Sequence, residues 1–307
     1  MKYKIYKLTF PNGIHVGSGR LSSAENTIHA DTLFSALCIE ALHVGGEQLL
    51  ESLVNHARMD KLRISDALPY INDCLYVPKP MCRVKSTEQD PSMRKLFKKM
   101  TYIPVDRLSD YLRGTSNPEE INEEFSKLGK KSVYQKVSIK LEGDNELYNV
   151  GVYEFNENCG LYVILGYEGD DVVGLFEDIL DSLQYSGLGG KRTSGYGRFV
   201  ASEVTADALE SRLLQESERY MSLSASMAAD DELEEVLQGA SYKLIKRSGF
   251  VQSRTYSERQ LKKRDIYVFA PGAVFARKFQ GDIFDVSQEG SHPVYRYEKP
   301  LLIGIGG

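Results

Sequence analysis

Thirteen residues from Ser186 to Arg198, SGLGGKRTSGYGR, constrain this chain more than any other stretch. Glycines stand at 187, 189, 190, 195 and 197, between a segment of helical apolar period and one that alternates as a strand. Glycine takes up positive φ at little cost, and without a Cβ it lets another backbone or a ligand lie directly against it. An ordinary turn needs one or two glycines at fixed positions. Gly189, Gly190, Gly195 and Gly197, interleaved with Lys191, Arg192, Thr193, Ser194 and Tyr196, describe instead a loop suited to close contact with phosphate or ribose.

The elements around this loop set the fold expectation. Residues 3 to 10, YKIYKLTF, alternate as a strand, and Pro11-Asn12-Gly13 turns the chain before IHVGSGRLS. From Asp31, the apolar positions Leu33, Phe34, Leu37, Cys38, Ala41 and Leu42 predict a helix capped by Asp31 and ended by Gly45-Gly46. Residues 60 to 145 are irregular, and Pro78 and Pro80 there favour an extended insertion or a protruding hairpin. YNVGVYEF and GLYVILGY then predict two strands, followed by a helix from Asp171, the glycine loop and the returning strand GYGRFVASEV. Strand, helix, strand, strand, helix, strand is the order of a ferredoxin-like unit, which puts both glycine-bearing loops beside one sheet.

The acidic segment 207–238 reads as polar helix leading to a second unit, and 240–305 as mostly strand, with a hairpin turning at Pro271-Gly272. A chain of 307 residues is long for one core. The predicted class is therefore α+β, with two ferredoxin-like (RRM-like) domains. The first spans 1–203, with its insertion or thumb hairpin at about 60–145, and the second spans 204–307.

Charge at first argues against a polyanion partner, because the net value is −5. Its distribution argues the other way. Seven basic residues lie between Lys79 and Lys99, and eight between Lys243 and Arg264, whereas ten carboxylates crowd the stretch from Glu203 to Glu235. Basic faces for a polyanion are thus expected on an acidic protein. The sequence has no apolar run that would span a bilayer, and MKYKIYKLTF lacks a signal peptide's core, so a cytoplasmic protein without membrane contact is expected. Cys38, Cys74, Cys82 and Cys159 form no C-x-x-C pair and the histidines show no zinc spacing, which predicts reduced thiols, no metal and no cofactor.

Two near-motifs fail on inspection. Gly17-Ser18-Gly19-Arg20-Leu21-Ser22 approaches a dinucleotide fingerprint, but its third glycine is Ser22 and the helix begins too late. Gly190-Lys191 approaches a P-loop, but Arg192 replaces the required hydroxyl residue and Tyr185 the first glycine. His15 and His29 flank the first loop, where a histidine is able to act as general acid or base on RNA, or simply to stack or hydrogen-bond. Among nineteen tyrosines, Tyr148, Tyr153 and Tyr162 are assigned to strands and core, and Tyr196 to the ligand.

Taken together, G-L-G-G-K-R-T-S-G-Y-G-R, the N-terminal H-V-G-S-G-R with I-H-A-D-T-L-F-S-A-L, and the tail segments S-G-F-V-Q-S, K-K-R-D-I-Y-V-F-A-P-G-A-V-F and S-H-P-V-Y-R-Y-E-K-P-L-L resemble a known family. It is the RAMP superfamily of CRISPR proteins and, within it, the type III-A effector subunit that caps the 5′ end of the guide RNA. The likeness spans nearly the whole chain and is weakest over 45–130 and 205–238. It implies a non-catalytic subunit that holds the crRNA 5′ handle, joins the large polymerase-like subunit to the backbone RAMP subunit and meets target RNA indirectly. Handle contacts carried over by motif fall on His15, Gly17, Ser18, Gly19, Arg20, His29, Asp31 and residues 189–197. The family's protruding thumb would correspond to the basic 79–100 region, and Ser248, Gly249, Phe250 and Ser253 would touch RNA or the large subunit. The alternative within the superfamily is an endoribonuclease that processes repeat RNA with His15 or His29.

Overall fold

The computed structural model describes residues 1–17, 19–84, 91–139, 144–253 and 255–306. Its largest sheet has seven strands, and every pairing in it is antiparallel. β1 (Lys2–Thr9) runs into α1 (Ala30–Arg58), which is followed by β2 (Leu62–Ile64), β3 (Leu68–Ile71) and β4 (Cys74–Pro78). After α2 (Pro91–Lys99), β5 (Tyr102–Pro104), α3 (Leu108–Arg113) and α4 (Pro118–Ser126), a long hairpin pairs β6 (Gly129–Ser138) with β7 (Glu146–Phe155). β8 (Cys159–Tyr167), α5 (Asp170–Ser186) and β9 (Val200–Val204) complete this part. The spatial order is β5-β4-β3-β8-β1-β9, with β2 also on β8.

Alternation along β8 explains the layering. Leu161, Val163 and Leu165 face α1 and α5, meeting Leu33, Phe34, Leu37, Phe176, Ile179 and Leu183. Tyr162 and Ile164 point to the opposite side, into a core shared with Met221, Leu223, Val274, Leu301 and Ile303. A strand covered on both faces reads as the unbroken apolar run it is. The C-terminal elements are α6 (Asp207–Leu214), β10 (Tyr220–Ser222), α7 (Leu233–Leu237), β11 (Leu244–Arg247), β12 (Ile266–Phe269), β13 (Val274–Phe275), β14 (Ile283–Asp285), β15 (Tyr295–Tyr297) and β16 (Leu302–Gly304). Of these, α6, β10, β13 and β16 roof the sheet face that α1 and α5 leave open, whereas Ile283 of β14 and Tyr297 of β15 join the core beneath α1. The class is mixed α and β with antiparallel sheets.

Several local expectations are corrected. The strand beside β8 is not 148–155 but β2 and β3, because β7 spends its hydrogen bonds on β6. The long hairpin of the described residues is 129–155, and in 79–100 β4 and α2 lie on either side of residues 85–90, which are outside the described set. Gly45-Gly46 does not end α1. Gly46, at φ +67°, kinks it, and the helix resumes to Arg58 with Leu53, Val54 and Ala57 buried. Pro271-Gly272 joins strands of two different sheets, since β12 pairs with β11 and β13 with β10. The polar stretch 207–238 holds only the short helices α6 and α7, with β10 between them.

Candidate nucleic-acid interface

Three segments interlock at one end of the sheet: the first loop, the glycine loop and the base of the hairpin. Gly197 N–H donates to the Gly13 carbonyl at 2.9 Å, and Gly190 N–H to the His15 carbonyl at 2.8 Å. Ile14 exchanges both backbone hydrogen bonds with Tyr153 (2.9 and 2.8 Å), and Gly151 N–H donates to Leu21 O at 2.8 Å. The expected convergence of the two glycine-bearing loops is therefore present, with the hairpin as a third wall.

Most of the loop's glycines answer to the protein itself. A Cβ on Gly197, at φ +81°, would sit 1.9 Å from the Leu188 carbonyl oxygen, and one on Gly189, at φ +87°, would sit 2.6 Å from His15 O. Gly195 is the least crowded of them, with only Asn12 Nδ2 at 4.0 Å from an added Cβ. What remains for a ligand is the side-chain crest. Thr193 and Ser194 are exposed, and Lys191, Arg192 and Tyr196 are partly exposed around the single 3₁₀ turn Arg192–Ser194. Lys191 itself adopts the left-handed conformation at φ +57°, uncommon for a non-glycine residue and characteristic of functional loops.

His15 is 8% exposed, and its Nδ1 lies 2.6 Å from the Gly151 carbonyl. A carbonyl only accepts, so Nδ1 carries the proton and the ring pins hairpin to loop. Gly17, Gly19 and Arg20 follow on the exposed first loop, and Ser18 lies outside the described residues. His29 lies farther along, at the start of α1. Its Nδ1 is 2.6 Å from Oδ2 of the buried Asp66, while its side chain keeps 26% of its exposure. Asp66 Oδ1 also accepts from Ala30 N–H at 2.8 Å and Ala225 N–H at 2.9 Å. It thus holds the helix start in the capping role that Asp31 was expected to play.

Asp31 is instead buried in an ion-pair cluster and is not displayed to a ligand. Arg247 grips it with Nε to Oδ2 at 3.0 Å and Nη2 to Oδ1 at 2.8 Å, and Arg296 Nη1 donates to Oδ2 at 2.6 Å. Burial alone would raise its carboxyl pKa, but the charge and hydrogen bonds of Arg247, joined by the charge of Arg296, outweigh it and hold the group well below the usual range. Ser248 adjoins this cluster, and Gly249, Phe250 and Ser253 follow it along the chain. Arg296 Nη2 lies 3.5 Å from Ser248 O, Lys262 sits 5.7 Å from the Phe250 ring centroid, and Ser253 Oγ is 2.8 Å from His292 Nε2. Phe250 is 48% exposed, so an aromatic surface is available there.

The basic runs are only partly free. Arg247 serves Asp31, Lys246 pairs with Asp265 at 2.7 Å, and Lys79 donates to the Phe97 carbonyl at 2.6 Å. Reading the sequence missed Lys136 and the true place of Tyr148. Tyr153 and Tyr162 are buried, but Tyr148 is half-exposed, with the Lys191 ammonium over its ring. The available signal was the polar alternation KKSVYQKVS, whose partner strand supplies the aromatic residues.

Comparison with known proteins supplies the relatives. Residues 7–200 match the family model described as the RAMP superfamily, and residues 215–305 match the CRISPR Csm4 C-terminal domain. The CRISPR system Cms protein Csm4 of Mycobacterium tuberculosis is 40% identical over 306 residues, covering 99% of this chain and 98% of that protein. Its namesake from Streptococcus thermophilus is 35% identical over 316 residues, covering 99% of each. Among solved structures, the Csm3–Csm4 subcomplex of the type III-A CRISPR-Cas interference complex contains a chain that superposes with a TM-score of 0.68 at 21% identity, covering 98% of both. A chain of the Csm1–Csm4 cassette in complex with cA4 gives 0.58 at 20%, covering 98% of this chain and 97% of that one.

Proposed function

The chain belongs to the Csm4 family of the RAMP superfamily, and from that premise we propose that it is a non-catalytic subunit of a type III-A CRISPR ribonucleoprotein that grips the 5′ handle of the guide RNA. The observation that carries this reading is the interlock of the first loop with the glycine loop through Gly190–His15 and Gly197–Gly13, which leaves Thr193 and Ser194 exposed and Lys191, Arg192 and Tyr196 partly exposed on a fixed frame. Cations for phosphates, hydroxyls for ribose and a ring for a base are what a single strand of fixed sequence requires. Solved relatives occur with Csm3 and with Csm1, so this chain joins the backbone RAMP subunit to the large polymerase-like subunit and meets target RNA only through the guide. The family models match 7–200 and 215–305, which supports two ferredoxin-like units dividing near residue 204. The sheet order β9-β1-β8-β3 fits the first of them.

The test is binding of labelled guide RNA carrying either the native or a scrambled handle. The native handle is expected to bind more tightly, and equal affinity overturns the reading. One observation favours a second activity, cleavage of repeat RNA, because His29 is oriented by the buried Asp66 and partly open. Incubating unprocessed repeat RNA with wild type and His29→Ala decides between them, and cleavage lost in the variant establishes the nuclease. His15, packed against Gly151 and Gly190, is expected to give no cleavage phenotype when changed to alanine.

A further inference from the structure

Two lysines and two tyrosines fasten the hairpin to the glycine loop, each lysine on the ring carried by the other element. Lys136 Nζ of β6 lies 4.7 Å from the ring centroid of Tyr196, and Lys191 Nζ of the loop lies 4.7 Å from that of Tyr148 in β7. Lys136 and Tyr148 are direct cross-strand partners, so the hairpin presents them side by side. All four residues are partly exposed, and neither ring belongs to the buried core clusters. Holding two elements together is ordinarily done by apolar contacts, which continue to work once water is excluded. A pair of exposed ammonium–ring contacts is weak and readily exchanged.

Exchange is what a single-stranded nucleic acid would drive. A nucleobase that slides onto either ring takes the place of the ammonium, and the freed lysine finds the phosphate of the same or the next nucleotide. No charge is left unpaired, and stacking on the exposed ring is stronger than the contact it replaces. We propose that Tyr148 and Lys136 of the hairpin, together with Tyr196 and Lys191, form a two-ring stacking site for unpaired nucleotides of RNA, closed by its own lysines until RNA enters. This rests on reading the glycine loop as the handle site and extends that site onto the hairpin.

The experiment uses the full chain and guide RNA in which 2-aminopurine replaces each handle base in turn, with Tyr148→Leu, Tyr148→Phe, Tyr196→Leu and Lys136→Met. Wild type and Tyr148→Phe are expected to change the fluorescence at one or two positions. Each leucine variant should lose one of those signals and bind roughly 10-fold more weakly. Lys136→Met should lower the slope of log affinity against log salt by about 0.7, one phosphate contact on a single strand. If wild type separates native from scrambled handles while every variant matches it in signal, affinity and salt slope, the rings only dock the hairpin and the stacking site is refuted. If wild type itself fails to separate the handles, the handle reading falls first. Should Tyr148→Leu misfold, Tyr196→Leu and Lys136→Met still decide, since they lie on different elements.

Discussion

Replacing Asp31 by alanine separates a structural role from a ligand role at a residue where sequence resemblance and structure disagree. The carboxylate takes three hydrogen bonds from Arg247 and Arg296, and the Arg296 and Asp31 side chains are only 3% and 4% exposed. Removing one partner of such a buried cluster strands the others without solvent and costs about 3–5 kcal/mol. For 307 residues at about 2 cal/mol/K each, unfolding entropy is near 0.6 kcal/mol per degree, so the midpoint should fall by roughly 5–8 °C. Thermal melting of the full chain reads this directly, and handle affinity measured well below both midpoints should stay unchanged. Replacing Asp31 with leucine together with Arg247→Met and Arg296→Met should recover much of the loss, because a well-packed apolar cluster substitutes for a buried ion pair. The effect has a pH sign. Asp31's pKa is depressed in the folded state, so its contribution is present above the ordinary value of 3.8 and is lost as pH falls through the folded value. A loss under about 1 kcal/mol, or weakened handle binding with unchanged melting, would refute this account.

Glu298 should behave in the opposite sense. It is fully buried, both its carboxyl oxygens lack a hydrogen-bond partner among the described residues, and burial followed by the Asp31 charge pushes its pKa well above 4.5. Its share of stability is present below that value and lost as pH rises, so the advantage of Glu298→Gln over wild type should grow between pH 5 and pH 8. Denaturant titrations showing a pH-independent gap would rule this out. Gly197→Ala should cost about 3 kcal/mol or more, adding a clash with Leu188 O to the left-handed strain, whereas Gly19→Ala meets no atom within 4 Å and should cost only the strain of about 1–2 kcal/mol. Equal costs in chemical denaturation would show that the loop yields. Lys191→Ala with Arg192→Ala should reduce the salt slope of handle binding by about 1.4, the release of two single-strand phosphate contacts. An unchanged slope would mean that both side chains point away from the RNA backbone.

How much of this was legible follows the range of each interaction. The glycine loop, the first strand, the doubly buried β8 and the helix before the loop were readable because period and turn chemistry are local. The partner of β8 was not. β2 and β3 are three and four residues long and β3 contains Pro69, whereas 148–155 looks like a better strand and instead pairs with β6. Asp31 was misplaced because its partners lie 216 and 265 residues away, and nothing near it in sequence announces Arg247 or Arg296. Tyr148 was misassigned for the mirror reason. Its strand is apolar enough to suggest core, and only the register with β6 shows that its neighbour is Lys136 rather than another apolar side chain.

The glycine loop also changes meaning once its neighbours are known. Four of its five glycines are demanded by the protein: Gly187 and Gly197 lie against each other and Leu188, and Gly189 and Gly190 lie against His15. A glycine-rich stretch therefore arises from packing two loops together, and it does not by itself announce a nucleic acid. The ligand signal resides in what that packing leaves outside. Lys191 is held at positive φ, and the next five positions carry a guanidinium, two hydroxyls, an uncrowded glycine and a ring. Fixed backbone and outward polar crest need each other, since a crest on a floppy loop would lose in ordering entropy what its contacts provide. Under the proposed reading, that division of labour also accounts for RNA binding by a chain of net charge −5, because a short, rigidly framed set of cations meets a few phosphates whatever the total charge.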